Sequence, residues 1–300
     1  MRLGTRRSAL ALAQARLVGE LLGGCEIVPI ETGGDRGAGA ADKSRWVDEL
    51  EAALRAGEVD LAVHSAKDVP AELGEGLELL GTPARAPAED ALCGAGALGE
   101  LRPGERVGTS SIRRIAQLHA AREDLEVVGM RGNVDTRLRK LAAAADGVHA
   151  IVLARAGLQR LGREREIGAV LDPARFVPAP GQGALALEGR AGDGRAHSAA
   201  QQIGDSEALA CLLAERALSR ELEADCHTPL GAHAVPQGGG RLRLRGWVGL
   251  PDGSHWIRDE LLGEGADPEA LGREVAGRMR AAGALELVRR AGEMAELAGA

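Results

Sequence analysis

The chain reads as an α/β protein made of two similar units in tandem, followed by a smaller α+β domain. Short apolar, strand-like runs alternate with alanine-rich amphipathic stretches, which is the pattern of βαβ units. That series occurs twice, on either side of an Ala- and Pro-rich break at Thr82–Asp90, and the pattern changes after Phe176-Val-Pro-Ala-Pro-Gly-Gln-Gly183. The first series is a strand near Leu3, a helix from about Ser8 to Leu22, a strand at Glu26–Ile30, a helix at about Trp46–Arg55 and a strand at Leu61–Val63. The order predicts a parallel or mixed sheet. The second series is Arg106–Gly108, a helix from Ser111, Leu125–Gly129, a helix around Val134–Ala145, and Ala150–Ala154. Two such units imply a cleft between them. The last hundred residues carry a helix at about Glu207–Glu221, a strand pair near Ala232–Val235 and Leu242–Leu250 around the loop Pro236–Arg241, and a final helix from Pro268.

Composition narrows the function classes. Three hundred residues, 45% of them hydrophobic, suffice for two or three domains with real cores. One Phe, three Trp and no Tyr leave no stacking platform for single-stranded nucleic acid, and a net charge of −7 argues against any nucleic-acid partner. The Ala-Leu run after Arg6-Arg7 is interrupted by Gln14 and Arg16, too early for a secretion signal. No stretch approaches the roughly 18 apolar residues of a membrane helix. The four cysteines, Cys25, Cys93, Cys211 and Cys226, are widely spaced, so neither a disulfide framework nor a metal site is expected. A cytoplasmic protein with reduced thiols is the expectation.

Val59-Asp-Leu-Ala-Val-His-Ser-Ala-Lys-Asp-Val-Pro70 is the most informative segment. A strand-like run ends in the adjacent pair Lys67-Asp68, and Pro70 stops regular continuation, so an ammonium and a carboxylate can stand at the mouth of a cleft. Gly108-Thr-Ser-Ser-Ile-Arg-Arg114 places a glycine and three hydroxyls at a strand-to-helix junction, where free N–H groups favour an anion. Thr109, Ser110 and Ser111 are equally ordinary helix caps. Met130-Arg-Gly-Asn-Val-Asp-Thr-Arg137 brings Arg131 and Arg137 to a second such junction, and Arg2–Gln14 brings Thr5, Arg6 and Ser8 to a third. Arginine forks hold carboxylates bidentately, so together these predict a site for a multiply anionic small molecule. Surface ion pairing is the competing reading for Arg114 and Arg139. Among these cations, Asp68 is suited to stabilising developing positive charge rather than to acting as a strong base.

Seven segments in order resemble the porphobilinogen deaminase (hydroxymethylbilane synthase) family. They are Arg2-Leu-Gly-Thr-Arg-Arg-Ser-Ala-Leu-Ala11, Val63-His-Ser-Ala-Lys-Asp-Val-Pro70, Val107-Gly-Thr-Ser-Ser-Ile-Arg-Arg114, Arg131-Gly-Asn-Val-Asp-Thr-Arg-Leu138, Ala156-Gly-Leu-Gln-Arg-Leu161, Pro178-Ala-Pro-Gly-Gln-Gly-Ala184 and Glu223-Ala-Asp-Cys-His-Thr-Pro-Leu-Gly231. The resemblance implies two periplasmic-binding-protein-like domains with mixed sheets flanking a cleft, the first discontinuous (1–85 and 180–203, around 86–179), and a third domain over 204–300. It implies an enzyme that joins four porphobilinogen units head to tail with loss of ammonia, on a dipyrromethane primer held by a cysteine thioether. By similarity the cysteine is Cys226, which attacks once as a nucleophile and then serves as an anchor. Asp68 matches the catalytic carboxylate that stabilises the methylene pyrrolenine cation. Lys67, Ser110, Ser111, Arg113, Arg114, Arg131 and Arg137 match cofactor carboxylate positions; Arg6, Ser8, Thr109, Arg160 and Lys43 match substrate positions. The product is expected to pass to uroporphyrinogen-III synthase.

Two departures stand out. Ala224-Asp225 precedes Cys226 where the family has a small pair, so a carboxylate sits beside the thiol and is expected to raise its pKa. In the segment expected to close over the site, Asp42-Lys-Ser-Arg-Trp46 replaces Lys-Gly-Leu-Phe, keeping Lys43 and an aromatic but losing the glycine. Two other functions compete. A two-lobed receptor for an anionic metabolite would have no use for Asp68 or Cys226, and a thiol transferase without a primer would need His227 as its base.

Overall fold

A computed structural model describes residues 1–33, 47–70, 72–225 and 228–299. Lys43, Trp46, Cys226 and His227 lie outside the described residues. The first unit runs β1 (Arg2–Arg6), α1 (Ala9–Leu21), β2 (Glu26–Ile30), α2 (Asp48–Arg55), β3 (Leu61–Ser65) and β4 (Leu77–Gly81). The second runs β5 (Asp90–Cys93), β6 (Arg106–Gly108), α3 (Ile112–Ala121), β7 (Glu126–Val128), α4 (Val134–Ala142), β8 (Val148–Ala154), α5 (Arg155–Arg160) and β9 (Ala169–Val170). After β10 (Leu185–Arg190) and α6 (Gly194–Ile203) come α7 (Ser206–Glu221), the strands β11 (Leu230–Pro236), β12 (Arg241–Gly249) and β13 (Trp256–Glu264), and the helices α8 (Pro268–Ala281) and α9 (Ala284–Gly299).

The fold is α/β, with two mixed five-stranded sheets and a third, antiparallel sheet in an α+β layer. The sheet orders are β2-β1-β3-β10-β4 and β7-β6-β8-β5-β9. Each has three parallel strands and then one antiparallel strand, β10 in the first and β5 in the second. Both of those strands follow a crossing between the sheets: β5 follows the outward segment from Thr82, and β10 the return through Pro180. The two crossings run side by side, where Ala86 N–H donates to the Gly183 carbonyl at 3.3 Å.

Local chemistry explains the helices. Ser8 caps α1 by accepting from Ala11 N–H, and Ala11, Ala15 and Val18, at helical spacing, are buried against the sheet. Asp205 caps α7 in the same way, and α7 buries Cys211, Leu212, Ala214 and Leu218. α8 crosses it so closely at Gly272 that a Cβ there would come within 2.4 Å of the Ala214 carbonyl. Only hydrogen fits at that crossing.

The structure departs from the sequence expectation at several elements. Asp90 closes no linker; it opens β5, whose four residues are all buried. The sequence pattern assigns no element between Leu250 and Pro268, yet β13 pairs along its whole length with β12 as an edge strand exposed at alternate residues. The final helix is two helices, broken at Gly283, which has φ 99°. α4 stops at Ala142, three residues before its expected end.

Candidate active site

β3 carries the chain into the cleft and ends at Ser65, where a 3-10 turn, Ala66–Asp68, turns Lys67 and Asp68 toward the second unit. The return crossing supports this turn. Ala66 N–H donates to the Ala184 carbonyl at 3.1 Å. Gly181, at φ +73°, passes so close that a Cβ would stand 2.9 Å from the Ala66 carbonyl carbon and 3.0 Å from Lys67 N. The Gly181-Gln-Gly183 segment therefore sets the height of the Lys67-Asp68 pair.

Asp68 borders two cavities. The larger, about 300 Å³, is lined by Lys67, Asp68, Ser110, Ser111, Arg113, Arg114 and Arg137 and closes on α7 and the segment before β11 at Ser219, Ala224, Asp225 and Thr228. The smaller, about 50 Å³, is lined by Arg6, Ser8, Gln14, Val47, His64, Ser65 and Asp68. His64 Nε2 lies 2.9 Å from Glu188 Oε2 beneath it, both side chains buried. In the larger cavity burial is the main cause lowering the Lys67 ammonium to about 8; Arg114 lowers it further, and Asp68 opposes the change.

The second unit contributes the cationic wall, but not as the sequence suggested. Arg113 and Arg114, 4% and 6% exposed, converge on Asp90, which is fully buried. Arg113 Nη1 donates to Asp90 Oδ2 at 2.8 Å and to the Val177 carbonyl at 2.9 Å. Arg114 donates through Nε and Nη2 to Asp90 Oδ1 at 3.0 and 2.8 Å, and through Nη1 to the Val152 carbonyl at 3.0 Å. Despite its burial, the paired guanidiniums hold the Asp90 carboxyl well below the usual carboxylate range. The surface-pairing reading of Arg114 is thus replaced by a buried triad. Arg113 Nε is buried without a hydrogen-bond partner among the described residues. Ser111 is the N-terminal boundary residue of α3 but makes no side-chain cap, so its hydroxyl and that of Ser110 remain on the cavity wall. Burial, then Arg114, lowers the Arg137 guanidinium pKa; Arg137 is oriented by its Nε donating to the Gly132 carbonyl at 2.7 Å.

Some predicted site residues do not reach either cavity wall. Thr109 is fully buried, its N–H donating to the Val128 carbonyl and its Oγ1 accepting from Ser111 N–H. Arg131 is exposed and lines neither cavity. Arg160 turns to the return crossing, donating to the Gly183 carbonyl at 2.7 Å, and burial takes its guanidinium to about 10. Ser8 lines the smaller cavity, yet its Oγ also serves as the α1 cap. The hydroxyl of Thr228 donates to Asp225 Oδ1 at 2.8 Å, so the Asp225 carboxylate is bound across the two residues between them.

Sequence reasoning missed a second buried carboxylate. Glu215 of α7 accepts from Arg85 Nη1 at 2.6 Å and Nη2 at 3.1 Å, from Gly181 N–H at 2.7 Å and from Ala234 N–H at 2.7 Å. Gln182 adds a bond from Nε2 to Asp90 Oδ1 at 2.9 Å, while its carbonyl receives Arg85. Both crossings and the helix that precedes residue 226 therefore meet at one charge. Glu215→Gln, which keeps the shape but removes that charge, should cost about 2–3 kcal/mol, read as a lower denaturant midpoint; an unchanged midpoint would remove Glu215 from the account.

A cavity with cationic and hydroxyl donors on one side and the third domain on the other suits a small polyanion that is also tethered to the chain. The comparisons with known proteins decide which. The family model described as "Porphobilinogen deaminase, dipyromethane cofactor binding domain" matches residues 1–198, and "Porphobilinogen deaminase, C-terminal domain" matches 209–281. The chain belongs to the porphobilinogen deaminase family. It is 45% identical over 282 residues to the Porphobilinogen deaminase of Thermus thermophilus, covering 91% of this chain and 93% of that protein. It is 45% identical over 302 residues to that of Deinococcus radiodurans, covering 95% and 96%. Among solved structures, immunogenic lipoprotein A from Vibrio vulnificus overlaps 69% of this chain and 96% of its own at 11% identity, with a TM-score of 0.43. That overlap is too slight to carry an argument. As a porphobilinogen deaminase the chain is a transferase that makes hydroxymethylbilane from porphobilinogen, with a dipyrromethane cofactor. The larger cavity fits that cofactor: Lys67, Ser110, Ser111 and Arg137 line it, Arg113, which also lines it, keeps a buried Nε without a hydrogen-bond partner among the described residues, and it closes on Asp225, next to Cys226.

Proposed function

We propose that Asp68 is the catalytic carboxylate of this transferase and Cys226 the anchor of its cofactor, with the larger cavity holding the cofactor and the smaller receiving porphobilinogen. The observation that carries this reading is the position of Asp68, which borders both cavities. Lys67, Ser110, Ser111 and Arg137 hold cofactor carboxylates; Arg113 and Arg114 supply positive potential from behind them while remaining paired with Asp90. Arg6, with Ser8 at the α1 terminus, takes the substrate's acetate or propionate. When bound, the dipyrromethane group supplies the free pyrrole α-carbon that is extended.

Ammonia leaves porphobilinogen with the electron pair of its C–N bond, and positive charge spreads over the remaining methylene pyrrole. Asp68 accepts the pyrrole N–H hydrogen bond and stabilises that charge from a fixed position, with little reorganisation. Arg131 is assigned to later units of the growing chain and Arg160 to the return crossing. Lys43 is assigned to the substrate side. The segments 1–85 with 180–203, 86–179 and 204–300 act as three units around the cleft. The enzyme is proposed to work in the cytoplasm and to hand its product to uroporphyrinogen-III synthase; no helix among the described residues is long and apolar enough to cross a membrane.

The carboxylate-binding part is tested by pH. Because Lys67 titrates near 8 rather than 10.5, its positive charge is present below about 8 and lost as pH rises through it. Attachment of the dipyrromethane cofactor to the cofactor-free protein should therefore slow, relative to Lys67→Met, as pH rises through 8. A wild-type to Lys67→Met rate ratio that stays flat from pH 7 to 9 would count against the assignment of Lys67.

A further inference from the structure

We propose that the cleft between α3 and the third sheet is a second binding site, for a small aromatic carboxylate, separate from the cavities around Asp68. A cavity of about 190 Å³ lies there, lined by Gln117, Ala120 and Ala121 of α3 and by Arg175, Trp247, Trp256 and Arg258. The whole chain has one Phe and three Trp, so two of its four aromatic side chains stand at this one cavity.

Sheet register puts them there. Trp247 is opposite Arg258 and Gly249 is opposite Trp256, so both indoles and the guanidinium share one sheet face. Gly249 makes the arrangement possible: a Cβ there would meet the Trp247 ring at 2.7 Å and Trp256 Cβ at 2.8 Å. Trp247 is fixed against Ala116 and Val177, giving the cavity a rigid wall. Trp256 is 49% exposed, an unusual placement for one of so few large apolar side chains.

The charges are equally uneven. Arg175 makes no side-chain hydrogen bond or ion pair with any described residue. Arg258 donates to the Ala174 carbonyl at 2.8 Å and has no acidic partner among the described residues. No Asp or Glu lines the cavity. Their neighbours differ: Arg245 is paired with Glu260, and Arg278 with Asp259. Two uncompensated guanidiniums beside two indole faces, in a protein of net charge −7, match a flat ring that carries carboxylate. The indoles stack on the ring and the guanidiniums bind the carboxylate. The volume suits one ring, below the range of larger ligand pockets. Because α3 also contacts the third domain through His119 Nδ1 and the Pro251 carbonyl at 2.8 Å, a bound ring would lie directly in that interface.

The test is isothermal titration calorimetry of the full chain with phthalate, and with cis-cyclohexane-1,2-dicarboxylate, which has the same charges but no π face. Phthalate should bind saturably and at least about tenfold more tightly than the cyclohexane compound. Trp256→Leu and Arg258→Met, at exposed positions, should each weaken phthalate at least about tenfold with unchanged melting temperature and porphobilinogen turnover, whereas Arg137→Met should leave phthalate affinity unchanged. Three results would overturn the proposal: no saturable heat at millimolar phthalate, equal affinity for the two dicarboxylates, or binding removed by Arg137→Met instead of by Trp256→Leu, which would place the anion in the main cleft.

Discussion

Asp68→Asn is expected to lower kcat by at least about 100-fold, the scale on which removal of one preorganised electrostatic partner acts, while leaving the melting temperature within a degree or two. The amide keeps the size of the side chain and can still accept a hydrogen bond, but it brings no negative charge to a cleft whose other charged lining residues are the cations Lys67, Arg113, Arg114, Arg137 and Arg6 and one carboxylate, Asp225, which is bonded to Thr228. Positive charge generated there by the loss of ammonia would then meet mainly like charge. The turn that carries the residue is held by a backbone bond from Ala66 to Ala184 and by the close passage of Gly181, so the fold should not register the change. Initial rates of porphobilinogen consumption and a thermal melt make the check. A kcat within a few-fold of wild type would remove Asp68 from the reaction.

Asp90→Ala should destabilise the protein by about 3–5 kcal/mol, the usual result of deleting one partner from a buried charge cluster. Two guanidiniums that now share one carboxylate would be left buried together, and Gln182 would lose its Oδ1 acceptor. The sign of the pH dependence follows. Because the folded carboxyl is held below its usual range, its stabilising contribution is fully present above the unfolded value of about 4 and is lost progressively as pH falls below it. Wild-type stability should therefore drop on acidification more steeply than that of Asp90→Ala. Denaturant midpoints at about pH 6 and about pH 2.5 test this; parallel pH profiles for the two proteins would show that the Asp90 charge is not what the arginines require. Activity should fall as well, since Arg113 and Arg114 line the cofactor cavity.

These two residues mark what was and was not legible in the sequence. Lys67-Asp68 could be read locally: a β-branched, apolar run ends within a few residues of a proline, so the charges must lie at a strand end. The hydroxyls after Gly108 could be placed at a strand-to-helix junction for the same reason. Which of the three faces the cleft could not be read, because it depends on Thr109 completing the β6–β7 ladder through Val128. Arg113 and Arg114 were correctly placed beside the cleft, but their acid, Asp90, lies 23 and 24 residues away in a stretch that reads as an Ala-Pro linker. Long-range pairing of this kind leaves no periodic trace. Glu215 was hidden in the same way, as an ordinary charge within an amphipathic helix whose partners arrive from residues 85, 181 and 234. The crossing at Pro180-Gly-Gln-Gly183 was recognisable only through its resemblance to the family; the physical need for Gly181 became visible once Lys67 was packed against it.

The central claim is that this chain builds its product on a primer carried by Cys226, and the intact mass of the purified protein, measured by electrospray beside Cys226→Ser, tests it most directly. The account predicts an added mass equal to two porphobilinogen units less two ammonia on the wild type, present at isolation or after incubation with porphobilinogen, and none on Cys226→Ser. A wild-type mass that stays unmodified after incubation, or the same adduct on Cys226→Ser, would contradict it.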